Sequence, residues 1–306
     1  MAGDSNGDSG RLKRMSERVR WWRSRPARIG RAVLIGLGIP FFLLAVIAMG
    51  FGDRFIFFPT RYPEGSWKDR ERASIPIDEV EFTISDGTRL VAWHSRPSDP
   101  RCTFLYFHGN AGNISDRVEV FEALASIGVA VFGVDYRGYG KSGGTPSEAG
   151  ILADAEGAWA HLTLRLGESA NKVVLFGKSL GGACAIDLAY RVPAAGLVIQ
   201  SSFTSVADLA SRAVPLFPAK WFLKSEMNNV MKIGAAKCPT LVVHSKDDEI
   251  VPFAHGVALF EAAPQPKWFA EHHGVGHNDL IYAQRAEWLK ELDEFLDHIG
   301  LTKTKP

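Results

Sequence analysis

A serine flanked by glycines lies between an apolar strand-like run and an apolar helical stretch. Residues 177–182 read GKSLGG, so Ser179 has a glycine two positions before it and another two positions after it. A serine on a sharp strand-to-helix turn needs such small neighbours, and the turn lifts its hydroxyl above the sheet edge. Ser179 is therefore the predicted nucleophile. The alternative, a phosphate-binding turn, would need a different spacing and a Lys-Ser/Thr pair.

A serine hydroxyl attacks efficiently only when a base accepts its proton. His272, His273 and His277 are the candidates downstream of the serine. His277 follows Gly276 in a loop just before a helical stretch, so it is the predicted base. The other two end a strand and are predicted to be structural. A metal site is not predicted, because the intervening glycines prevent a helical i, i+4 arrangement and no fourth ligand is evident.

The base needs a carboxylate to orient it. Three adjacent candidates, Asp247, Asp248 and Glu249, follow the strand-like run TLVVH. Asp248 is the predicted acid because it stands four residues after His244 in the pattern H-x-x-x-D-x-x-V-P. Asp247 is the alternative, and Glu249 is predicted to be a solvated acidic residue.

The loop HGNAGN, residues 108–113, directly follows the strand-like run TFLYF. Its small residues would let the backbone approach the nucleophile and stabilise a negatively charged oxygen on the reacting carbonyl. We predict an oxyanion hole formed by the backbone N–H groups of Leu180 and Asn110, with Ala111 as the alternative to Asn110. His108 is predicted to be structural rather than catalytic.

Alternating strands and helices must position these residues. A hairpin is predicted from the strands 80–84 and 89–93, with Asp86-Gly87 at the turn. The pattern then becomes strand, loop and helix in repetition, which predicts a mostly parallel sheet covered on both faces. The later strands are predicted at 103–107, 129–134, 172–176, 196–200, 240–244 and 267–271, and the helices near 115–127, 147–166, 180–191, 253–262 and 279–298.

Residues 202–237 interrupt this alternation of strands and helices, since the segment is too long for one crossover helix and its loops. The segment contains prolines and aromatic residues among short helical patches, and it is predicted to form a small cap over the site. With no internal repeat, the catalytic part is predicted to be one domain over 80–300, preceded by a connector over 53–79.

The N-terminal region predicts a membrane anchor. Residues 1–31 form a basic tail with nine basic and three acidic residues, and residues 32–52 contain no charge. That apolar run is long enough for the roughly 30 Å hydrocarbon core of a bilayer. The basic tail predicts a cytoplasmic N-terminus and an extracytoplasmic hydrolase domain. The alternatives are a cleaved signal peptide ending near Ala48 and a re-entrant or interfacial segment.

Composition excludes several other classes of protein. The formal net charge is +1, and the chain beyond the basic tail is mildly acidic, so no nucleic-acid surface is predicted. Three scattered cysteines do not form a disulfide framework. No cofactor is predicted, because the chemistry needs only side chains and water. The oligomeric state is left open.

Together these motifs resemble the α/β-hydrolase superfamily over about residues 80–299. HGNAGN, DYRGYGKSGG (135–144), GKSLGG, HSKDDEIVP (244–252) and the Gly-His pair occur in the family's order. More narrowly, the chain is similar to single-anchor α/β-hydrolase-domain-containing proteins, which have an F-x-x-P connector. One departure is Ser245, where a glycine commonly lies.

The resemblance implies an α/β-hydrolase fold, with a mostly parallel central sheet flanked by helices, a small cap and an N-terminal transmembrane helix. It also implies serine esterase, thioesterase or amidase activity through an acyl-enzyme on Ser179. The anchor and the aromatic cap favour a lipophilic acyl substrate. A serine peptidase acting on small peptides is the alternative within this chemistry, and a non-catalytic binding protein is the alternative outside it.

Overall fold

The computed structural model describes residues 56–213 and 227–303, and its strands form one sheet in the order β1-β2-β4-β3-β5-β6-β7-β8. β1 pairs antiparallel with β2, and β2 pairs antiparallel with β4. All later pairings are parallel. The strands are β1 Asp78–Thr83, β2 Arg89–Ser95, β3 Cys102–Phe107, β4 Val129–Asp135, β5 Val173–Lys178, β6 Gly196–Gln200, β7 Thr240–Ser245 and β8 Lys267–His272.

The predicted hairpin and the mostly parallel sheet are confirmed. β3, β4, β6 and β7 are buried along their whole length, which explains why these strands appear in the sequence as apolar runs rather than alternating patterns. The helices follow as α1 Asp69–Arg72, α2 Val118–Ser126, α3 Glu148–Ala160, α4 Leu180–Arg191, α5 Val206–Ala213, α6 Asn229–Ile233, α7 Phe253–Ala262, α8 Leu280–Ala283 and α9 Arg285–His298.

Two apolar cores lie on opposite faces of the sheet, and β3 contributes to both. Its Leu105 and Phe107 pack on one face with residues of α3 and α4. Phe104 and Tyr106 pack on the other face with residues of α2 and α9. Because side chains alternate along a strand, one continuous apolar run fills both layers. The carboxyl ends of the central strands are thereby fixed at one edge, where the site lies.

Two predicted helices are not continuous α-helices over their predicted ranges. The helix predicted over 147–166 is α-helical to Ala160 and continues as a π-helical turn, His161–Arg165. The helix predicted over 279–298 is divided at Gln284, whose backbone is not helical (φ −132°, ψ 36°). This interruption lets the Gln284 side chain donate to the His273 carbonyl oxygen at 2.8 Å, so the break ties α8 and α9 to the end of β8.

Within residues 56–213 and 227–303, no helix is both long enough and apolar enough to cross a bilayer. α9 has 14 residues and α3 has 13, whereas a membrane-spanning helix needs about 20. The prediction of an N-terminal transmembrane helix is therefore corrected, since no described helix can span a bilayer. Its predicted range, 32–52, lies outside the described residues. The single-pass membrane location, with a cytoplasmic N-terminus and an extracytoplasmic hydrolase domain, depended on this helix and is corrected with it.

Two other predicted segments are described only in part or not at all. The basic tail, 1–31, lies outside the described residues. Of the predicted cap, 202–237, the structure describes α5 and α6, which are linked by an antiparallel bridge between Ser205 and Asn228.

Candidate active site

Ser179 lies on a strained turn between β5 and α4. Its backbone angles, φ 53° and ψ −116°, are rarely adopted by a residue with a side chain. Two glycines make the turn possible. A Cβ at Gly181 would overlap the carbonyl oxygen of Phe107, and one at Gly177 would overlap the backbone of Gly181. Such strain persists only where the surrounding structure enforces it, and it often marks a functional residue.

The predicted acid and base are in contact. His277 Nδ1 lies 2.8 Å from Asp248 Oδ2 and 3.0 Å from Asp248 Oδ1. Asp248 Oδ1 also accepts hydrogen bonds from the backbone N–H groups of Ile250 (3.0 Å) and Val251 (2.7 Å). These bonds fix the carboxylate, which in turn fixes the imidazole with Nδ1 as the donor and leaves Nε2 as the acceptor.

Electrostatics favour an ionised Asp248. Burial by itself raises the pKa of this carboxyl, but the hydrogen bonds from His277 and from the Val251 N–H outweigh burial, so its pKa is lowered. His244, at the end of β7, donates through Nε2 to the Val251 carbonyl oxygen at 2.8 Å. It therefore helps to hold the same turn.

The other two acidic residues bind the backbone of the histidine loop. Asp247 accepts from the Gly274 N–H at 2.7 Å, and Glu249 accepts from the His277 N–H at 3.0 Å. Ser245 donates through Oγ to the Val275 carbonyl oxygen at 2.6 Å. Glu249 is exposed, in agreement with its prediction as a solvated residue. Its contact with the histidine loop was not predicted, because adjacent carboxylates in a sequence do not reveal which one faces another loop.

The predicted oxyanion loop approaches the serine closely. A Cβ at Gly109 would lie 3.7 Å from the Ser179 Cβ. The Asn110 side chain fixes the loop, since its Oδ1 accepts from the Phe58 N–H (3.0 Å) and the Tyr139 hydroxyl (2.9 Å). Its Nδ2 donates to the Ile56 carbonyl oxygen. The connector is therefore bound to the loop beside the nucleophile.

His108 lies beneath this loop and is fully buried. Its Nδ1 donates to the Gly109 carbonyl oxygen at 2.7 Å, and its Nε2 lies 3.2 Å from Asp135 Oδ1. The Tyr136 hydroxyl donates to the His108 carbonyl oxygen at 2.7 Å. These contacts are those of a residue that supports the loop.

His272 is also held by neighbouring side chains. Its Nδ1 lies 2.6 Å from Gln284 Oε1, and its Nε2 lies 2.8 Å from Glu291 Oε2. Burial by itself lowers the pKa of His272, but the bonds to Glu291 and Gln284 outweigh burial and raise its pKa. Since both nitrogens face acceptors, the geometry favours the imidazolium form. Glu287 is close enough to complete a group of three possible metal ligands.

Ser179 and His277 line one cavity of about 570 Å³, together with Asn110 and Leu180. Most of its wall is apolar. The apolar wall is formed chiefly by Phe58, Phe203, Val206, Leu209, Ile250 and Val251. Phe58 comes from the connector and Phe203, Val206 and Leu209 from the start of the predicted cap, so these regions shape the cavity.

Sequence reasoning missed the polar wall of this cavity, formed by Arg117, Lys178 and Asn278. Burial and the charge of Arg117 lower the pKa of Lys178 to about 8. Lys178 Nζ donates to Asn278 Oδ1 at 2.9 Å, which links the serine turn to the residue after His277. Lys178 could have been noticed because it directly precedes the nucleophile, whereas Arg117 carries no local signal.

Residues 98–231 match the family model described as "Serine aminopeptidase, S33". The chain is 34% identical over 230 residues to human alpha/beta hydrolase domain-containing protein 17B, a match that covers 74% of this chain and 78% of that protein. It is 36% identical over 231 residues to an uncharacterized protein of Mycobacterium tuberculosis, covering 74% of this chain and 80% of that protein.

Among solved structures, the esterase Pf2001 of Pyrococcus furiosus matches with a TM-score of 0.67 and 21% sequence identity. That match covers 80% of this chain and 98% of the esterase. At this identity the likeness concerns the fold. The human relative is 34% identical and is covered over 78% of its length, and this match shows the family as well. The chain therefore belongs to the α/β-hydrolase superfamily.

Proposed function

We propose that this protein is a serine hydrolase that cleaves esters of apolar acyl groups through an acyl-enzyme on Ser179. The observation that carries the proposal is one cavity that contains both Ser179, on its strained turn, and His277, whose Nδ1 is bound by Asp248. The alternative acid, Asp247, binds the Gly274 N–H instead, which supports Asp248 in the catalytic role.

In the proposed reaction, His277 Nε2 accepts the hydroxyl proton as Ser179 Oγ attacks the ester carbonyl carbon. The negative charge that develops on the carbonyl oxygen is stabilised by the backbone N–H groups of Asn110 and Leu180. His277 then returns the proton to the departing alcohol. A water molecule, deprotonated by the same histidine, hydrolyses the acyl-enzyme. Asp248 orients the imidazole and stabilises its charged form.

The cavity supports an apolar acyl group. Its walls next to the serine include Leu180, Phe203 and Val206, and burying apolar surface there contributes roughly 25 cal/mol per Å². Longer acyl chains should therefore bind more tightly until the cavity is filled. Thioesters with such acyl groups present the same reacting carbonyl and belong to the same proposal.

Peptide cleavage is a second candidate, favoured by the description of the matching family model. An aminopeptidase must bind a positively charged amino group, for which carboxylates are the usual partners. Among the described residues that line the cavity, none is acidic, whereas Arg117 and Lys178 are cationic. This charge distribution favours the ester over the amino-terminal peptide.

A fluorophosphonate probe tests whether Ser179 is the nucleophile. We expect the wild type to be labelled and Ser179→Ala to remain unlabelled. Ser169→Ala, which removes an exposed serine that does not line the cavity, is the matched control and should be labelled like the wild type. Equal labelling of the wild type and Ser179→Ala would refute the proposal and favour a protein that only binds its ligand.

The substrate class is tested with 4-nitrophenyl esters of increasing acyl length and with aminoacyl 4-nitroanilides. The proposal predicts that kcat/KM rises from the acetate to the octanoate ester, because more apolar surface is buried. Turnover of the anilides alone would instead support the peptidase.

A further inference from the structure

Two cations stand beside the nucleophile at the junction of two cavities. Lys178 is the last residue of β5, and Arg117 ends the 3-10 turn Ile114–Arg117. Both line the large apolar cavity that contains Ser179. Both also line a second, smaller cavity of about 100 Å³, and Asn278 is the third residue that the two cavities share.

Neither cation is bonded to a carboxylate in the part of the chain that the structure describes. Lys178 donates to the amide oxygen of Asn278 at 2.9 Å. Arg117 donates to two backbone carbonyl oxygens, those of Ala111 at 2.6 Å and Asp116 at 3.3 Å. All these acceptors are neutral, so no bonded anion compensates the two positive charges.

Two residues that line the smaller cavity carry buried donors without acceptors. Arg117 Nε and Trp288 Nε1 are buried and have no hydrogen-bond partner within the described structure, and both residues line this cavity. A buried donor left unpaired destabilises the fold, so these two residues mark a polar region beside the cations. Asp116 is the one acidic residue among the described lining, and its Oδ2 accepts a hydrogen bond from the Asn113 N–H at 3.2 Å.

We propose that Lys178 and Arg117 bind an anionic group, a phosphate or a carboxylate, carried by the alcohol that leaves during hydrolysis. This inference rests on the proposed function. It assigns the acyl chain to the apolar wall and the alcohol to the cationic wall, which continues into the smaller cavity. The substrate class is then an acyl ester of a small anionic alcohol.

The reaction remains an ordinary hydrolysis. The bond between the acyl carbon and the alcohol oxygen breaks, the alcohol oxygen receives the proton from His277, and water supplies the hydroxyl group of the released fatty acid. The anionic group itself is unchanged. Its role is to fix the alcohol in the site, so it should act mainly on kcat/KM.

Four octanoate esters with leaving groups of similar size test this assignment. They are 2-(octanoyloxy)ethyl phosphate, 3-(octanoyloxy)propanoate, neutral 2-hydroxyethyl octanoate and octanoylcholine, and released octanoate is measured by chromatography. We expect kcat/KM to be at least about ten-fold higher for an anionic ester than for the neutral one, as one charge-assisted hydrogen bond provides. Octanoylcholine should be the poorest substrate. The first two esters distinguish phosphate from carboxylate.

Variants then test the two residues. Lys178→Met and, separately, Arg117→Gln should each lower the ratio of anionic to neutral turnover by about ten-fold, whereas Arg117→Lys should retain part of it. Lys290→Met is the matched control, because it removes an exposed charge on α9, and it should keep the wild-type ratio. Arg117→Gln allows the test to proceed if Lys178→Met does not fold.

The outcomes separate this inference from the proposed function. The inference would be overturned if the neutral ester were cleaved as fast as the anionic ones. It would also be overturned if the ratio of anionic to neutral turnover were unchanged in both Lys178→Met and Arg117→Gln. Either result would leave the proposed esterase function standing. Preference for the 2-hydroxyethyl monoester of octanedioate, which carries its charge on the acyl chain, would overturn the placement on the leaving group. If Ser179→Ala cleaves all four esters like the wild type, the proposed function itself fails.

Discussion

Asp248→Asn tests most directly how the acid controls the base. Three donors converge on Oδ1 of this carboxylate: the N–H groups of Ile250 and Val251, and His277 Nδ1. In the variant the amide oxygen must take the Oδ1 position, because an amide NH₂ there would face two backbone donors. The NH₂ group then occupies the Oδ2 position, 2.8 Å from Nδ1 in the wild type.

An NH₂ group at that position donates to Nδ1, so the imidazole must carry its proton on Nε2. That tautomer cannot accept the proton of Ser179. We expect kcat to fall by about 10⁴, the size found for such a change in serine triads, or roughly 5.5 kcal/mol in the barrier. The assay is hydrolysis of 4-nitrophenyl octanoate, with thermal unfolding measured in parallel to show that the variant is folded.

Asp247→Asn is the matched control. Its side chain accepts one bond from the Gly274 N–H, which an amide oxygen can also accept. We expect it to keep activity within about ten-fold of the wild type, as loss of charge on a single hydrogen bond implies. An Asp248→Asn enzyme with more than a tenth of the wild-type kcat, or an Asp247→Asn enzyme that is equally impaired, would refute the assignment.

The same pair of variants gives a pH test. The pKa of Asp248 is lowered in the folded protein, so this group stabilises the fold above its ordinary pKa near 3.9 and loses that contribution as the pH falls through the folded pKa. We expect urea unfolding to show a shallower loss of stability on acidification in Asp248→Asn than in Asp247→Asn. An identical pH dependence of stability in the two variants would contradict a lowered pKa of Asp248 in the folded protein.

Three further outcomes follow from packing and charge. Gly181→Ala should lower the stability to thermal unfolding by about 1–3 kcal/mol, because its Cβ would overlap the Phe107 carbonyl oxygen; an unchanged melting temperature would contradict the tight turn. The pKa of His272 is raised in the fold. The stability from its bond to Glu291 is therefore present below pH ~6.5 and is lost as the pH rises through the folded pKa. In urea unfolding, His272→Gln should not show this loss of stability at higher pH. Val206→Trp narrows the apolar cavity and should reduce the octanoate-to-acetate ratio of kcat/KM about ten-fold, whereas an unchanged ratio would place the acyl chain elsewhere.

Much of the sheet could be predicted because its buried strands are short apolar runs. The run VVLF predicted β5, and TLVVH predicted β7, each to within one or two residues of the observed bounds. Helix ends were harder, as at Gln284, where a tertiary bond to the His273 carbonyl oxygen overrides a continuous helical pattern. The membrane helix predicted over 32–52 depended on composition alone, and that range lies outside the described residues.

The proposed catalytic residues could be selected from the sequence because each stands in a local pattern, such as glycines around Ser179 or a glycine before His277. The residues that shape the cavity have no such pattern. Phe58 and Arg117 reach it only through tertiary contacts, far along the chain from the serine. The contact made by Glu249 had no such pattern either, because its partner is the backbone N–H of a distant loop.

The hydrogen bonds that join the Asn110 side chain to the backbone of Ile56 and Phe58 affect how shortened forms of this protein should be made. Those bonds attach a short piece of chain to the loop next to the reactive serine, and its phenyl ring lines one side of the binding space. A recombinant fragment starting after Pro59 would retain every residue assigned to proton transfer. It would nevertheless expose that space to solvent, so such fragments should handle short, water-soluble esters better than long ones.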